Sequence, residues 1–172
     1  MKNSLGTMTL MLACGIASAQ TPVRAPAPPA NPRIDAQAFM AVTFEAMKFR
    51  EQRRIDESEF MRMSRERGTL VLDARSAEKF RELHVDGALN LSFPDITEES
   101  LNRLIPDKNT RVLIYCNNNF VNNERAFPSK LPSASLNLST FAALYNYGYR
   151  NVYELAPLLD AKRTRLALVS GR

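Results

Sequence analysis

The sequence of 172 residues holds one histidine, two cysteines, six glycines and no tryptophan. One histidine and two cysteines exclude a zinc finger or any Cys/His metal cluster. No apolar run is long enough to span a bilayer as a mature helix, so no transmembrane segment is expected. There is no glycine-rich nucleotide loop, no cofactor motif and no internal repeat, and no cofactor is expected. What is present is ordinary globular composition, 45% hydrophobic and 24% charged, which sets aside disorder, collagen and coiled coil. Twenty-three Lys and Arg against 18 Asp and Glu give a net charge of +5 and a pI near 9.5. A basic balance raises nucleic acid as a partner. The cations, however, are spread along the chain and interleaved with acids, as in Arg62-Met63-Ser64-Arg65-Glu66-Arg67. That pattern reads as a solvated helix face, and no nucleic-acid partner is expected.

Residues 1–19 read as a secretory signal. Lys2 supplies the positive start, Leu5 to Ile16 an apolar stretch, and Ala17-Ser18-Ala19 the small residues for cleavage before Gln20. Two other readings compete: a buried N-terminal helix, weakened by Gly6 and Gly15, and a lipid anchor on Cys14, whose Met11-Leu12-Ala13-Cys14 context loosely resembles a lipobox. The expected location is therefore periplasmic or secreted. Cleavage after Ala19 removes Cys14 and leaves Cys116 as the sole thiol, so no intramolecular disulfide can form. Residues 20–33 carry prolines at 22, 26, 28, 29 and 32, a composition that favours extended polyproline II and reads as a linker.

The body, residues 34–172, alternates helices and strands. Spacing predicts an amphipathic helix from Ile34 to Arg53, a short edge strand at Arg54-Ile55 and a helix from Ser58 to Arg67 stopped by Gly68. Thr69 to Asp73 is an unbroken apolar run, as expected for a strand buried on both faces. Ser76 caps a helix reaching Leu83, and Ala88 to Leu91 reads as a second buried strand. Thr97 to Ser100 opens a helix with acids at its positive end. Arg111 to Tyr115 is the third buried strand, and Ser139 is the expected cap of a helix through Tyr147. Val152 to Leu155 reads as the last strand. The alternation implies an α/β domain around a mainly parallel sheet, where ligands gather beyond the carboxyl ends of the strands. That draws attention to Asp73-Ala74-Arg75 and above all to Cys116.

Cys116 closes the most apolar strand and is followed by Asn117, Asn118, Asn119, Phe120, Val121, Asn122, Asn123, Glu124 and Arg125. Asparagine tolerates left-handed backbone angles, so such a run can curl its N–H groups inward as an anion-binding nest. A thiolate at its mouth would be stabilised and available as a nucleophile. The competing reading is a structural cysteine, since free thiols are often buried.

Asp73-Ala74-Arg75-Ser76-Ala77-Glu78-Lys79-Phe80 followed by His84-Val85-Asp86-Gly87-Ala88-Leu89-Asn90-Leu91 resembles the rhodanese-like domain. That family shows Asp-x-Arg and then His-Ile-x-Gly-Ala-x-Asn-hydrophobic at this spacing. Tyr115-Cys116 is similar to its catalytic cysteine strand, and Gly148-Tyr149-Arg150-Asn151-Val152-Tyr153-Glu154-Leu155 to its later Gly-Tyr-x-Asn-Val strand. The resemblance covers roughly residues 54–165. It implies a small parallel-sheet α/β fold, preceded here by an extra N-terminal helix, with Cys116 as the persulfide-forming nucleophile. Its implied partners are a small sulfur donor and a thiol acceptor. Three features depart from the family. Residues 117–138 separate Cys116 from the next helix, where the family has a short loop. Pro157-Leu158 stands where a double glycine is usual, and Lys162 where a Trp is usual.

The candidate anion-binding loop is Asn117, Asn118, Asn119, Phe120, Val121, Asn122 and Arg125. Phe127 to Pro132 is expected to cover the cysteine as a lid or partner surface, or else to be a surface insertion. Asp73, Arg75 and His84 are read as structural groups near the site. Two further functions stay open beside sulfur transfer. One is a binding or redox-sensing module that meets a protein partner or anion at residues 117–138. The other is a cysteine phosphatase, which needs an arginine curled onto the phosphate at the end of a short loop; Arg125 lies far along for that role.

Overall fold

The structure, a computed structural model, describes residues 31–171. The expected signal segment 1–19, and residues 20–30 of the expected linker 20–33, lie outside the described residues. The chain divides into two units at Ile34/Asp35. Of the first, residues 31–34 form a turn in which the Ile34 N–H donates to the Asn31 carbonyl at 3.1 Å.

The second unit is built from helices with explicit start signals. Helix α1 (Ala36–Arg50) begins where the Asp35 carboxylate accepts the Ala38 N–H at 2.8 Å, so it opens two residues after the sequence-based start. A 3-10 turn at Glu51–Arg53 leads into strand β1 (Arg54–Ile55). Helix α2 (Glu57–Ser64) is capped by Asp56, which accepts the Glu59 N–H at 2.8 Å. It ends earlier than residue 67, and Gly68 takes φ 81° in the turn that follows, a left-handed angle suited to glycine. Strand β2 (Thr69–Asp73), helix α3 (Ala77–Glu82, capped by Ser76) and strands β3 (His84–Val85) and β4 (Leu89–Asn90) follow. Helix α4 (Glu98–Leu104) carries a reciprocal cap between Thr97 and Ser100. Strand β5 (Arg111–Tyr115), strand β6 (Phe120–Val121), helix α5 (Leu136–Asn146) and strands β7 (Val152–Leu155), β8 (Leu159–Asp160) and β9 (Leu168–Val169) complete the order.

Five strands form one sheet in the order β1-β7-β5-β2-β4, with every neighbouring pair parallel. Strand β5 is central, and its side chains alternate between two cores. Leu113 and Tyr115 pack with Phe60 and Met63 of α2 and with Phe120, Phe127 and Leu166. Val112 and Ile114 pack with Ala46 of α1, Leu101 of α4 and Phe141 and Leu144 of α5. Leu113 and Ile114 have no exposed surface, a burial that contributes about 1.5–3 kcal/mol each. Burial on both faces explains the unbroken apolar run and selects β5 as the strand whose carboxyl end carries the site. Among the described residues no helix is long and apolar enough to cross a membrane.

Four expectations are corrected. Ala88–Leu91 is not a strand buried on both faces: only Leu89–Asn90 pairs, at the sheet edge, with Leu89 44% exposed. Strand β7 is not the last strand, since β8 pairs with β6 and β9 pairs antiparallel with β3. Helix α5 starts after Ser135 rather than at Ser139, because the Ser135 carbonyl already accepts the Leu138 N–H at 3.1 Å. Residues 51–53 belong to a 3-10 turn instead of the first helix.

Candidate active site

Cys116 stands one residue beyond β5, in extended backbone at φ −148° and ψ −172°. It is 1% exposed, and its sulfur is not enclosed by apolar groups alone. The Sγ lies 3.4 Å from the Ser135 Oγ at the entrance to α5. Cys116 lines a cavity of about 320 Å³ together with Arg50, Asn118, Ser135, Asn137 and Glu154. Cys116 is thus a buried residue beside a hollow whose lining mixes these polar groups with Pro132, Leu138 and Ala156.

Residues 117–119 make one 3-10 turn, and Asn122 is the only non-glycine described residue with a left-handed angle (φ 65°). The side-chain amides do the holding. Asn117 Nδ2 donates to the Pro128 carbonyl at 2.8 Å. Asn118 donates to the Lys130 carbonyl at 2.8 Å and accepts the Lys130 N–H at 3.2 Å. Asn119 is 5% exposed and has four partners. Its Oδ1 accepts the Cys116 N–H at 2.8 Å and the Asn137 Nδ2 at 3.0 Å. Its Nδ2 donates to the Leu155 and Pro157 carbonyls at 2.7 and 3.2 Å. A primary amide carries two donors and an acceptor oxygen, which is why asparagine, and not a simple donor or acceptor, can join Cys116 to α5 and to the end of β7. Asn137 Oδ1 is buried without a donor among the described residues, and the adjoining cavity has room for a water to reach it.

The structure separates the remaining loop residues from the cavity. Phe120 is 1% exposed and packs against Phe127 at 4.4 Å between ring centres. Val121 pairs with Asp160 in the β6–β8 ribbon. Arg125 has an 85% exposed side chain that bridges to Glu82 at 3.1 Å, and it lines a separate depression. Of the segment expected to cover the cysteine, Phe127 is core, Leu131 is 74% exposed, and Pro132 lines the thiol cavity.

Asp73 and Arg75 form a buried hub beside the site, 0% and 2% exposed. Arg75 Nη2 donates to Asp73 Oδ2 at 2.6 Å, and Nε reaches both carboxylate oxygens at 3.0 and 3.1 Å. The remaining donors reach the Ala126 carbonyl at 2.8 Å and the Leu83 carbonyl at 2.7 Å. The Tyr115 hydroxyl donates to Asp73 Oδ2 at 2.5 Å and accepts the Val85 N–H at 3.0 Å. Burial and the adjacent Asp73 carboxylate push the Tyr115 phenol well above its usual value. Burial opposes the Arg75 charge, but the Asp73 carboxylate outweighs it and the guanidinium is held more basic than usual. His84 Nδ1 lies 2.7 Å from the Phe80 carbonyl, and its ring stacks on Phe80 at 3.7 Å between centres. These groups fix the strand ends and the 126–127 crossing, and none of them lines the thiol cavity.

Among the cavity residues that the sequence does not single out are Arg50, Ser135, Asn137 and Glu154. Arg50 closes α1 and donates through Nε and Nη2 to the two oxygens of Glu154 on β7, the Nη2 bond at 2.6 Å. Their side chains are 13% and 5% exposed. One sequence signal was available for Glu154: an acid inside a strand read as buried requires a cation. Among the described residues no three His, Cys, Asp or Glu side chains converge as a metal site.

A parallel α/β sheet with a cysteine one residue beyond its central strand, lining a hollow of mixed polar and apolar groups, defines a class of cysteine-centred small α/β domains. A sequence profile of the Rhodanese-like domain matches residues 56–156, and the chain belongs to that family. It is 37% identical over 46 residues to the thiosulfate sulfurtransferase PspE of Escherichia coli strain K12, a stretch that is 27% of this chain and 43% of that relative's length. Among solved structures it is similar to a rhodanese with anions from E. coli, at 27% identity over 60% of this chain and 99% of that one, TM-score 0.41. It is also similar in fold to a thiosulfate sulfurtransferase from Pseudomonas aeruginosa, at 17% identity over 77% of this chain and 23% of that one, TM-score 0.50.

Proposed function

We propose that this protein is a sulfurtransferase that carries sulfane sulfur as a persulfide on Cys116. The observation that carries this reading is Cys116 lining a cavity together with Arg50, Ser135 and Asn137 at the carboxyl end of the central strand, in a chain of the rhodanese-like family. In the first half-reaction the Cys116 thiol gives its proton to solvent and the thiolate attacks the outer sulfur of a donor such as thiosulfate. The donor's S–S bond breaks and sulfite leaves with the bonding electron pair. In the second, a thiophilic acceptor, cyanide or a thiolate, attacks the outer persulfide sulfur and Cys116 departs as thiolate. The two steps balance without an external oxidant or reductant.

The sequence features of residues 1–19 support export, and the reaction is proposed to take place in the periplasm or outside the cell, with small thiols as acceptors. The purified chain, incubated with thiosulfate and cyanide, is expected to form thiocyanate. The Cys116→Ser variant is expected to form none. No thiocyanate from the wild-type protein, with no sulfur retained on Cys116, would contradict the reading. Cell fractionation and N-terminal sequencing check the export: a mature chain beginning at Gln20 is expected.

A further inference from the structure

The family match begins at residue 56, yet the cavity around Cys116 is completed from outside it. Arg50, in the last turn of α1, lines the same hollow as the thiol. Neither cation of the 117–138 loop lines it: Arg125 is solvent-exposed, bound to Glu82 and lines another depression, and Lys130 lines a separate cavity with Arg75 and Pro128. Glu154 orients the guanidinium by taking its Nε and Nη2 edge. The Nη1 edge makes no short hydrogen bond among the described residues. The carboxylate nearest to it is that of Glu51, at 3.7 Å with a 65% exposed side chain. A guanidinium has five N–H donors in a fixed fork, so one edge can stay on Glu154 while the other receives an oxyanion.

We propose that Arg50 is the group that receives the anionic end of the sulfur donor, making helix α1 part of the active site and setting selectivity for small donors with a sulfonate-like oxyanion. Glu154 then has two effects: it holds Arg50 in place, and its own charge weakens the attraction for anions. This inference rests on Cys116 being a reactive thiol, but it can fail or hold independently of sulfur transfer.

The test compares alkylation of Cys116 by iodoacetate, an anion, with alkylation by iodoacetamide, its neutral analogue of similar size. The readout is the ratio of the two rates in the folded full-length protein. A charge at short range inside a partly screened cavity changes such a ratio on the order of five- to tenfold. Arg50→Gln is expected to lower the iodoacetate-to-iodoacetamide ratio by about that factor, and Glu154→Gln to raise it. Opposite signs are the signature, because an ion pair with only a structural role would loosen the site in the same direction from either side. If Arg50→Gln does not fold, Glu154→Gln still decides, since it retains the guanidinium and removes the competing charge. An unchanged ratio in Glu154→Gln, a shift of the same sign in both variants, or a Cys116 that neither reagent reaches in the wild-type protein overturns the assignment.

Discussion

The side-chain oxygen of Asn119 accepts the backbone N–H of Cys116 at 2.8 Å, so the proposed nucleophile is fixed by a residue three positions ahead of it. The same side chain reaches α5 through Asn137 and the end of β7 through two carbonyls. The thiol thus sits where three elements are tied by one amide.

Asn119→Ala removes four hydrogen-bond contacts and leaves the Cys116 N–H and the Leu155 carbonyl without this buried partner. A loss of about 2–4 kcal/mol is expected from unsatisfied buried groups, measured as a lower urea midpoint with unchanged slope. Asn119→Asp is expected to be worse, because a carboxylate would face the Leu155 and Pro157 carbonyls that now receive N–H donors.

Arg75 tests the neighbouring hub. Arg75→Ala leaves Asp73 buried and without its cation, and frees the Ala126 and Leu83 carbonyls; a destabilisation of about 3–5 kcal/mol is expected. Arg75→Lys keeps the charge but cannot reproduce the fork that spans Asp73 and both carbonyls, so it is expected to recover only part of that loss. Thermal melts of the two variants check the order. Equal stability of Arg75→Ala and wild type would contradict the hub.

Acid should weaken the tie between α2 and the C-terminal segment. Burial acts to raise the Glu57 carboxyl, but hydrogen bonds from Thr164 and Arg165 outweigh it and hold the group below the ordinary glutamate value. A carboxylate depressed on folding stabilises the fold fully above its unfolded pKa, about 4.3, and loses that contribution as pH falls through the lower folded value. Wild type is therefore expected to lose stability in that acid window, and Glu57→Gln to show a shallower fall there while being less stable at pH 7. Identical pH slopes for the two proteins would contradict this.

Much of the fold can be read along the chain because its signals are local. The apolar runs of β2 and β5 and the caps Asp35, Ser76 and Thr97 each sit within a few residues of what they determine. Strands β3, β6, β8 and β9 have two residues each, too short for any period to register. They exist only because partners remote in sequence meet them. The thiol's place at the end of β5 was legible for the same local reason that β5 was. The composition of its cavity was not. Arg50 and Glu154 are 104 positions apart, and Arg50 looks in the sequence like any basic residue in a last helical turn. The side-chain amides of Asn117, Asn118 and Asn119 find partners at Pro128, Lys130, Asn137, Leu155 and Pro157, contacts that no local spacing announces.

Sulfur carried by Cys116 is read directly by intact-mass spectrometry of the protein after brief incubation with thiosulfate. The expected result is a gain of one sulfur atom, mapped by peptide analysis to Cys116, removed by cyanide and absent from Cys116→Ser. A wild-type mass that does not change, or a gain that persists in Cys116→Ser, would contradict it.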